Sequence, residues 1–301
     1  MLRIGLFLGT NLAVLFVINL TITALGLNQP GMNLLPLIIM AGVMGMAGSF
    51  ISLLMSKTMA KRSSRARVIE TPRTDTERWL VKTVESQAGK AGIGMPEVAI
   101  FPSSAPNAFA TGANKNKALV AVSEGLLQHM SKDEAEAVLG HEITHVSNGD
   151  MVTLSLIQGV VNTFVIIFSQ LISSLVDQRR GGSRSISGYG FGRGIGYRMT
   201  YMLTQTVLGF LATLIVRWFS RWREFHADKG GARLAGRDKM ISALQQLQEP
   251  VQFPAEMQAL GINGGLLGAI GLKKLTMTHP PLEQRIAALR KLGPGGAAQY
   301  E

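Results

Sequence analysis

Residues 131–150 read SKDEAEAVLGHEITHVSNGD. Ser131 followed three residues later by Glu134 forms a capping box, so a helix is predicted to begin here. Residues 141–145 of that helix, His-Glu-Ile-Thr-His, match the pattern H-E-x-x-H. The pattern predicts a metal site on one face of a helix.

The spacing within this pattern explains its chemistry. Histidines four residues apart lie on one helix face, so His141 and His145 can bind one Zn²⁺ through bonds of about 2.0–2.1 Å. Glu142 is rotated away from the metal and can act on the attacking water as general base. Because the pattern fixes only three residues, it also occurs by chance, and the context must support it.

A candidate third ligand lies in residues 223–228, Arg-Glu-Phe-His-Ala-Asp. Glu224 and Asp228 are four residues apart and face the same way on a predicted helix. Glu224 can complete a His₂Glu set with a fourth position open for water. Asp228 can accept a hydrogen bond from a ligand imidazole and fix its tautomer. His226 points about 200° away from Glu224 and is interpreted as a surface or packed residue.

The composition limits the choice of ligands and partners. The chain has 301 residues, a net charge of +11 and no cysteine, so any metal site must use His, Asp or Glu. Its basic residues crowd beside apolar runs, which favours a lipid surface over a nucleic acid. No nucleic-acid partner is therefore expected.

Long uncharged runs indicate membrane spans. They are Ile4–Leu27, Met32–Ser56, Met151–Val176 and Met199–Val216. The first run is longer than the apolar part of a signal peptide and is predicted to be an uncleaved span. In the second, Ala41, Gly45 and Ser49 form a small-residue face for close helix packing.

The positive-inside rule places the basic segment from Lys57 onward in the cytoplasm. The loop 178–197 opposes this rule, because it carries four arginines between the third and fourth runs. Either the first pair of runs dominates the topology, or the second pair is a shorter, partly embedded hairpin.

The remaining segments predict a small α+β domain. A helix is expected over Thr74–Ala91, and strands over Val98–Phe101 and Ala118–Val122, joined across Asn107–Gly112. The predicted fold is mainly α with a small β-sheet, in a multi-pass membrane protein with four hydrophobic helices and a cytoplasmic zinc peptidase domain. The predicted divisions are 1–56 (two spans), 57–150 (first half of the catalytic domain), 151–216 (two further spans) and 217–301 (second half).

With these motifs, nearly the whole chain resembles bacterial heat-shock membrane zinc proteases of the gluzincin-like peptidase family that includes the CAAX prenyl protease Ste24. The resemblance extends to Asn107–Gly112, Asn148-Gly149-Asp150, and Thr278-His279-Pro280-Pro281 with Arg285. It implies one Zn²⁺ per subunit at His141, His145 and Glu224, with Glu142 as base.

The same resemblance implies contacts with the substrate. Asn107 and Arg285 are substrate-binding candidates, and His279 is a candidate stabiliser of the transition state. From spacing alone, His279 either donates a hydrogen bond to the oxyanion or simply precedes two prolines that start the final helix. An extended substrate is expected to add to an exposed strand edge near Ala108 or Val120.

The implied function is quality control. The expected substrates are unfolded or damaged proteins, mainly of the membrane, cleaved at the cytoplasmic face of the bacterial inner membrane. In the expected mechanism Glu142 takes a proton from a zinc-bound water and passes it to the leaving amine.

Three other functions are compatible with parts of this sequence. An intramembrane protease would hold the motif inside an apolar span, whereas Lys132 and Asp133 precede it on the same helix. A transporter is disfavoured because the interiors of the spans lack ionisable residues. A non-catalytic zinc scaffold or chaperone stays as the alternative, and it would need a fourth protein ligand such as His226 or His279.

Overall fold

The computed structural model describes residues 35–179, 195–248 and 280–292, together with Phe16. The helices are α1 (Leu35–Ser64), α2 (Asp75–Lys90), α3 (Glu124–His129), α4 (Lys132–Asn148), α5 (Asp150–Arg179), α6 (Ile195–Ala235), α7 (Arg237–Gln246) and α8 (Leu282–Lys291). The strands are β1 (Arg67–Val68), β2 (Glu97–Phe101), β3 (Ala108–Thr111) and β4 (Leu119–Ser123). The protein is therefore mainly helical with a small sheet, as predicted.

The described residues fall into two compact units. One lies within Met1–Ser52 and Leu154–Val216, and the other within Leu53–Thr153 and Arg217–Glu301. The division of the sequence into 1–56, 57–150, 151–216 and 217–301 stays a prediction.

Within the part of the chain that the structure describes, three helices are long and apolar enough to cross a membrane: Pro36–Ser64, Asp150–Asp177 and Ile195–Ala235. At a rise of about 1.5 Å per residue, each exceeds the roughly 30 Å of a hydrocarbon core. They contain the third and fourth predicted runs and the part of the second run from Pro36 to Ser56. The first predicted run, Ile4–Leu27, and most of the loop 178–197 lie outside the described residues.

The predicted small-residue face on α1 is confirmed as a site of close packing. A Cβ atom added at Gly45 would lie 2.4 Å from the Thr163 Oγ1 atom of α5, and Ala41 is fully buried. A larger residue at Gly45 would therefore push the two helices apart, as expected for helices that associate through close backbone approach.

The sheet has the strand order β1-β2-β4-β3, with β2 and β4 parallel and the outer pairs antiparallel. All five residues of β4 are buried, which suits a central strand covered on both faces. Val98 and Val120 pack into the main core with the helices, while Ala99 and Leu119 form a smaller cluster on the opposite face.

Two predictions about this sheet are wrong. Residues 107–112 were predicted as a connection, yet Ala108–Thr111 form a strand whose Ala108 pairs with Val122. Gly112, with a φ of 140°, ends that strand where the chain turns back. Val120 was predicted to lie near an exposed edge, but its strand is paired on both sides.

Local signals fix the other elements of this unit. Thr74 caps α2 with a complete capping box, which confirms the helix predicted over Thr74–Ala91. The capping box of Ser131 and Glu134 is confirmed at the start of α4, and Gly149 ends that helix with a left-handed φ of 68°. Pro281 precedes α8, as the paired prolines predicted.

Candidate metal centre

The two motif histidines converge on one point in the protein interior. His141 and His145 are only 7% and 9% exposed on α4. Their Nε2 atoms lie 3.1 Å apart, and their rings meet edge to face. The helical spacing therefore directs both Nε2 lone pairs to the same place, as the sequence predicted.

Glu224 of α6 completes the group. Its carboxylate oxygens lie 3.7 Å from His141 Nε2 and 3.4 Å from His145 Nε2, and Glu224 is buried. Donors that bind one ion tetrahedrally through bonds of about 2.0–2.1 Å lie about 3.3–3.4 Å from one another. The three side chains therefore have the separation and chemistry that a zinc ion requires, and they can hold a metal ion together.

Glycines let α6 approach α4 closely enough to bring Glu224 to the histidines. A Cβ atom added at Gly230 would lie 2.2 Å from Thr144 Cγ2, and one at Gly231 would lie 3.0 Å from the His141 backbone nitrogen. A Cβ atom added at Gly140, on the facing helix, would lie 3.3 Å from the Gly231 Cα atom. Consecutive glycines weaken a helix by roughly 1 kcal/mol each relative to alanine, so their place here follows from this approach.

A carboxylate orients each histidine from behind. His141 Nδ1 lies 3.0 Å from Asp228 Oδ1, the partner that the sequence predicted. His145 Nδ1 lies 2.6 Å from Asp150 Oδ2, a role that the sequence analysis missed. Both imidazoles can therefore donate from Nδ1 and keep Nε2 free for a metal. The available signal was an aspartate directly after the turn-forming Gly149, close to the second histidine.

Arg285 of α8 lies against this centre. Its Nε donates to Asp228 Oδ2 at 2.8 Å, and its Nη1 lies 3.3 Å from Glu224 Oε2. Burial alone would lower the pKa of the Arg285 guanidinium, but its bonds to Asp228 outweigh burial and raise the pKa. These contacts place Arg285 beside Asp228 and Glu224. The substrate contact expected of it stays a prediction.

His226, in contrast, lies apart from the metal group. It is exposed, and its Nδ1 lies 3.2 Å from the Trp222 carbonyl oxygen one turn earlier on α6. Its interpretation as a surface residue is confirmed.

A cavity of about 720 Å³ opens onto the metal group. Glu142, half-buried, lines it beside His141 and Glu224. Asn107 and Ala108 lie on its wall, as do Pro280 and Pro281. The remaining lining residues are Pro106, Leu126, Val138, Met240, Leu244, Leu247, Gln248, Leu282, Glu283 and Arg285. The cavity is large enough for a segment of a polypeptide substrate. His279, which is expected to act at this site, lies outside the described residues.

Comparisons with known proteins show the family of this chain. The sequence profile described as peptidase family M48 matches residues 74–293. The chain is 55% identical over 291 residues to Protease HtpX of Xanthomonas campestris pv. campestris, covering 96% of this chain and 97% of the relative. It is 57% identical over 296 residues to a Protease HtpX homolog of Thiobacillus denitrificans, covering 96% and 99%.

A solved structure shares the fold. The crystal structure of S. mikatae Ste24p aligns with a TM-score of 0.58 at 21% identity, covering 82% of this chain and 57% of that one. The matched residues 74–293 include the H-E-x-x-H helix, Glu224 and Arg285 of this chain, and the matches to the two relatives extend over nearly the whole chain. The chain therefore belongs to peptidase family M48 and is a membrane-anchored metalloprotease.

Proposed function

We propose that this chain is a zinc-dependent endopeptidase whose metal is held by His141, His145 and Glu224. The observation that carries the proposal is the convergence of two Nε2 atoms and a carboxylate at the separations that a tetrahedral ion requires. A His₂Glu set with an open position is the donor set of catalytic zinc, whereas structural sites are closed by four ligands and favour cysteine. The chain has no cysteine.

Glu142 is the proposed general base. A Zn²⁺ ion held by these three residues would lower the pKa of a bound water towards about 7 and would polarise the scissile carbonyl. Glu142 lies next to His141 in the chain and lines the cavity. In the proposed mechanism it takes the proton of the attacking water and passes it to the leaving amine. His279 is proposed to donate a hydrogen bond to the developing oxyanion.

The proposed substrate is an extended polypeptide. Within the described residues, β3 pairs only with β4, so its outer edge offers backbone groups to another strand. Asn107 and Ala108, at the start of β3, also line the cavity beside the metal group. A substrate strand held there would be recognised mainly through its backbone, and this explains how one enzyme would accept many sequences.

The proposed setting is the cytoplasmic side of the bacterial inner membrane, with unfolded or damaged proteins as substrates. The names of the bacterial relatives support a protease, and the three apolar helices support a membrane location. The basic segment that follows the apolar part of α1 supports the cytoplasmic side for the catalytic unit.

The test is an assay of casein cleavage by protein purified in detergent without metal, with and without added Zn²⁺. We expect zinc-dependent cleavage, and a loss of about 10²–10⁴-fold in Glu142→Gln while zinc still binds. Glu85→Gln, which changes an exposed carboxylate on α2, serves as the control and should keep full activity. Full activity of Glu142→Gln would exclude this mechanism. Stoichiometric zinc binding without any cleavage would favour the scaffold alternative.

A further inference from the structure

The contacts of His145 extend beyond the metal group. Asp150 is 1% exposed, and its Oδ2 lies 2.6 Å from His145 Nδ1. Its other oxygen pairs with the Nη2 of Arg223, whose side chain is 13% exposed. His145, Asp150 and Arg223 thus form a chain of contacts, partly buried at Arg223, that ends next to Glu224, the neighbour of Arg223 on α6.

We propose that Asp150 and Arg223 are positioning residues that hold the His145 imidazole in its metal-binding orientation. The inference rests on the proposed metal site. Asp150 accepts the Nδ1 proton of His145, which fixes the tautomer that presents the Nε2 lone pair to the metal. Arg223 holds Asp150 in place through the second carboxylate oxygen.

The charge balance explains why both residues are needed. A buried carboxylate is stable only when it is paired and hydrogen-bonded, and the imidazole alone supplies one neutral donor. Arg223 supplies the compensating charge through the contact of its Nη2 with Asp150 Oδ1. Arg223 directly precedes Glu224. One turn of α6 therefore carries both the proposed third metal ligand, Glu224, and the cation that pairs with Asp150 behind His145.

Local backbone geometry brings Asp150 close to His145. Gly149 ends α4 in the left-handed conformation, and Asp150 begins α5 immediately afterwards. This turn returns the Asp150 carboxylate towards His145, five residues earlier in the chain. The orientation of His145 therefore depends on a sharp turn and on the docking of α6.

The test measures zinc affinity separately from activity. We would titrate metal-free protein in detergent with Zn²⁺ in competition with a chromophoric chelator, and record the visible absorption of the Co²⁺-loaded protein. Asp150→Asn should weaken zinc binding by about 10–100-fold and alter the Co²⁺ spectrum. Asp133→Asn, an exposed carboxylate on α4, is the matched control and should bind zinc like the wild type.

A second pair of variants guards against loss of the fold. Arg223→Gln should weaken zinc binding, and Arg223→Lys, which keeps the charge, should restore most of the affinity. Wild-type zinc affinity in Asp150→Asn and Arg223→Gln, even with a lowered melting temperature, would overturn the positioning role and leave a purely structural one. Failure of the wild type to bind one zinc ion would instead contradict the proposed function itself.

Discussion

The two histidines of the H-E-x-x-H motif have the same kind of support, yet it is built from different parts of the chain. His141 contacts Asp228, which Arg285 holds from α8. His145 contacts Asp150, which lies five residues away and is held by Arg223. Each histidine thus has a buried carboxylate and an arginine behind it.

The difference lies in the distance along the chain. Asp150 follows His145 through one glycine turn, so only its arginine must arrive from elsewhere. Both partners of His141 come from helices far along the sequence, and they meet it only when α6 and α8 dock. We infer that the His145 side (His145, Asp150 and Arg223) is specified mainly by local sequence. The His141 side (His141, Asp228 and Arg285) is specified mainly by tertiary packing.

The largest expected effect is on the His141 side. Arg285→Met would leave Asp228 buried without its cation, and breaking such a pair typically costs about 3–5 kcal/mol. We expect a large fall in melting temperature in detergent. Arg290→Met, an exposed arginine on the same helix, should change little. Equal melting temperatures for the two variants would show that the buried pair does not support the fold.

Asp228→Asn sharpens the comparison at the metal. Loss of the Asp228 carboxylate should weaken zinc binding by about 10–100-fold, as proposed for Asp150→Asn. Because Arg285 holds Asp228 through two nitrogens, Asp228→Asn should also lower the melting temperature more than Asp150→Asn. Calorimetry of both metal-free variants measures this difference. A lower melting temperature for Asp150→Asn than for Asp228→Asn would contradict the inference that the contacts of His141 depend more on tertiary packing.

The approach of α6 to α4 affects both sides together. Gly230→Ala would place a methyl group against the β-branched Thr144, whose hydroxyl donates to the Gly140 carbonyl oxygen. Overpacking of this kind costs about 1–3 kcal/mol, and zinc affinity should fall with it because Glu224 is displaced. Gly89→Ala on α2 meets open space and is the control. Thermal unfolding and zinc titration would be compared, and unchanged values in Gly230→Ala would refute the close approach.

The smallest effect concerns a carboxylate outside the metal centre. The Arg73 backbone N–H donates to Glu77, and Arg67 pairs with it, so the pKa of Glu77 falls from 4.5 to about 2. A lowered pKa stabilises the fold above about pH 4.5, and this contribution disappears as the pH falls towards about 2. The melting temperature of Glu77→Gln should therefore lie below that of the wild type at pH 6. The difference in melting temperature should disappear between pH 4.5 and pH 2. A difference that grows as the pH falls would contradict the lowered pKa of Glu77.

Sequence reasoning succeeded where one local rule decides the outcome. The spacing of His141 and His145 and the capping box at Ser131 need only the geometry of a helix. Glu224 was found because a second carboxylate follows it at helical spacing. Reasoning failed at β3, because short apolar segments become strands through their pairing partners. It failed for Val120 for the same reason, since a strand's place in the sheet is a property of its neighbours.

The sequence by itself determined the class of chemistry: a capped helix with two histidines and a base, a distant carboxylate pair, and apolar runs long enough for a membrane. These features depend on residue type and on spacing within single helices. Only the tertiary structure decided that Glu224 lies at the separation a zinc ion requires, that Asp150 and Arg223 support His145, and that Arg285 lies beside Asp228 and Glu224. Such contacts join residues from different elements, and their distances are set by how closely backbones pack at positions such as Gly230 and Gly231.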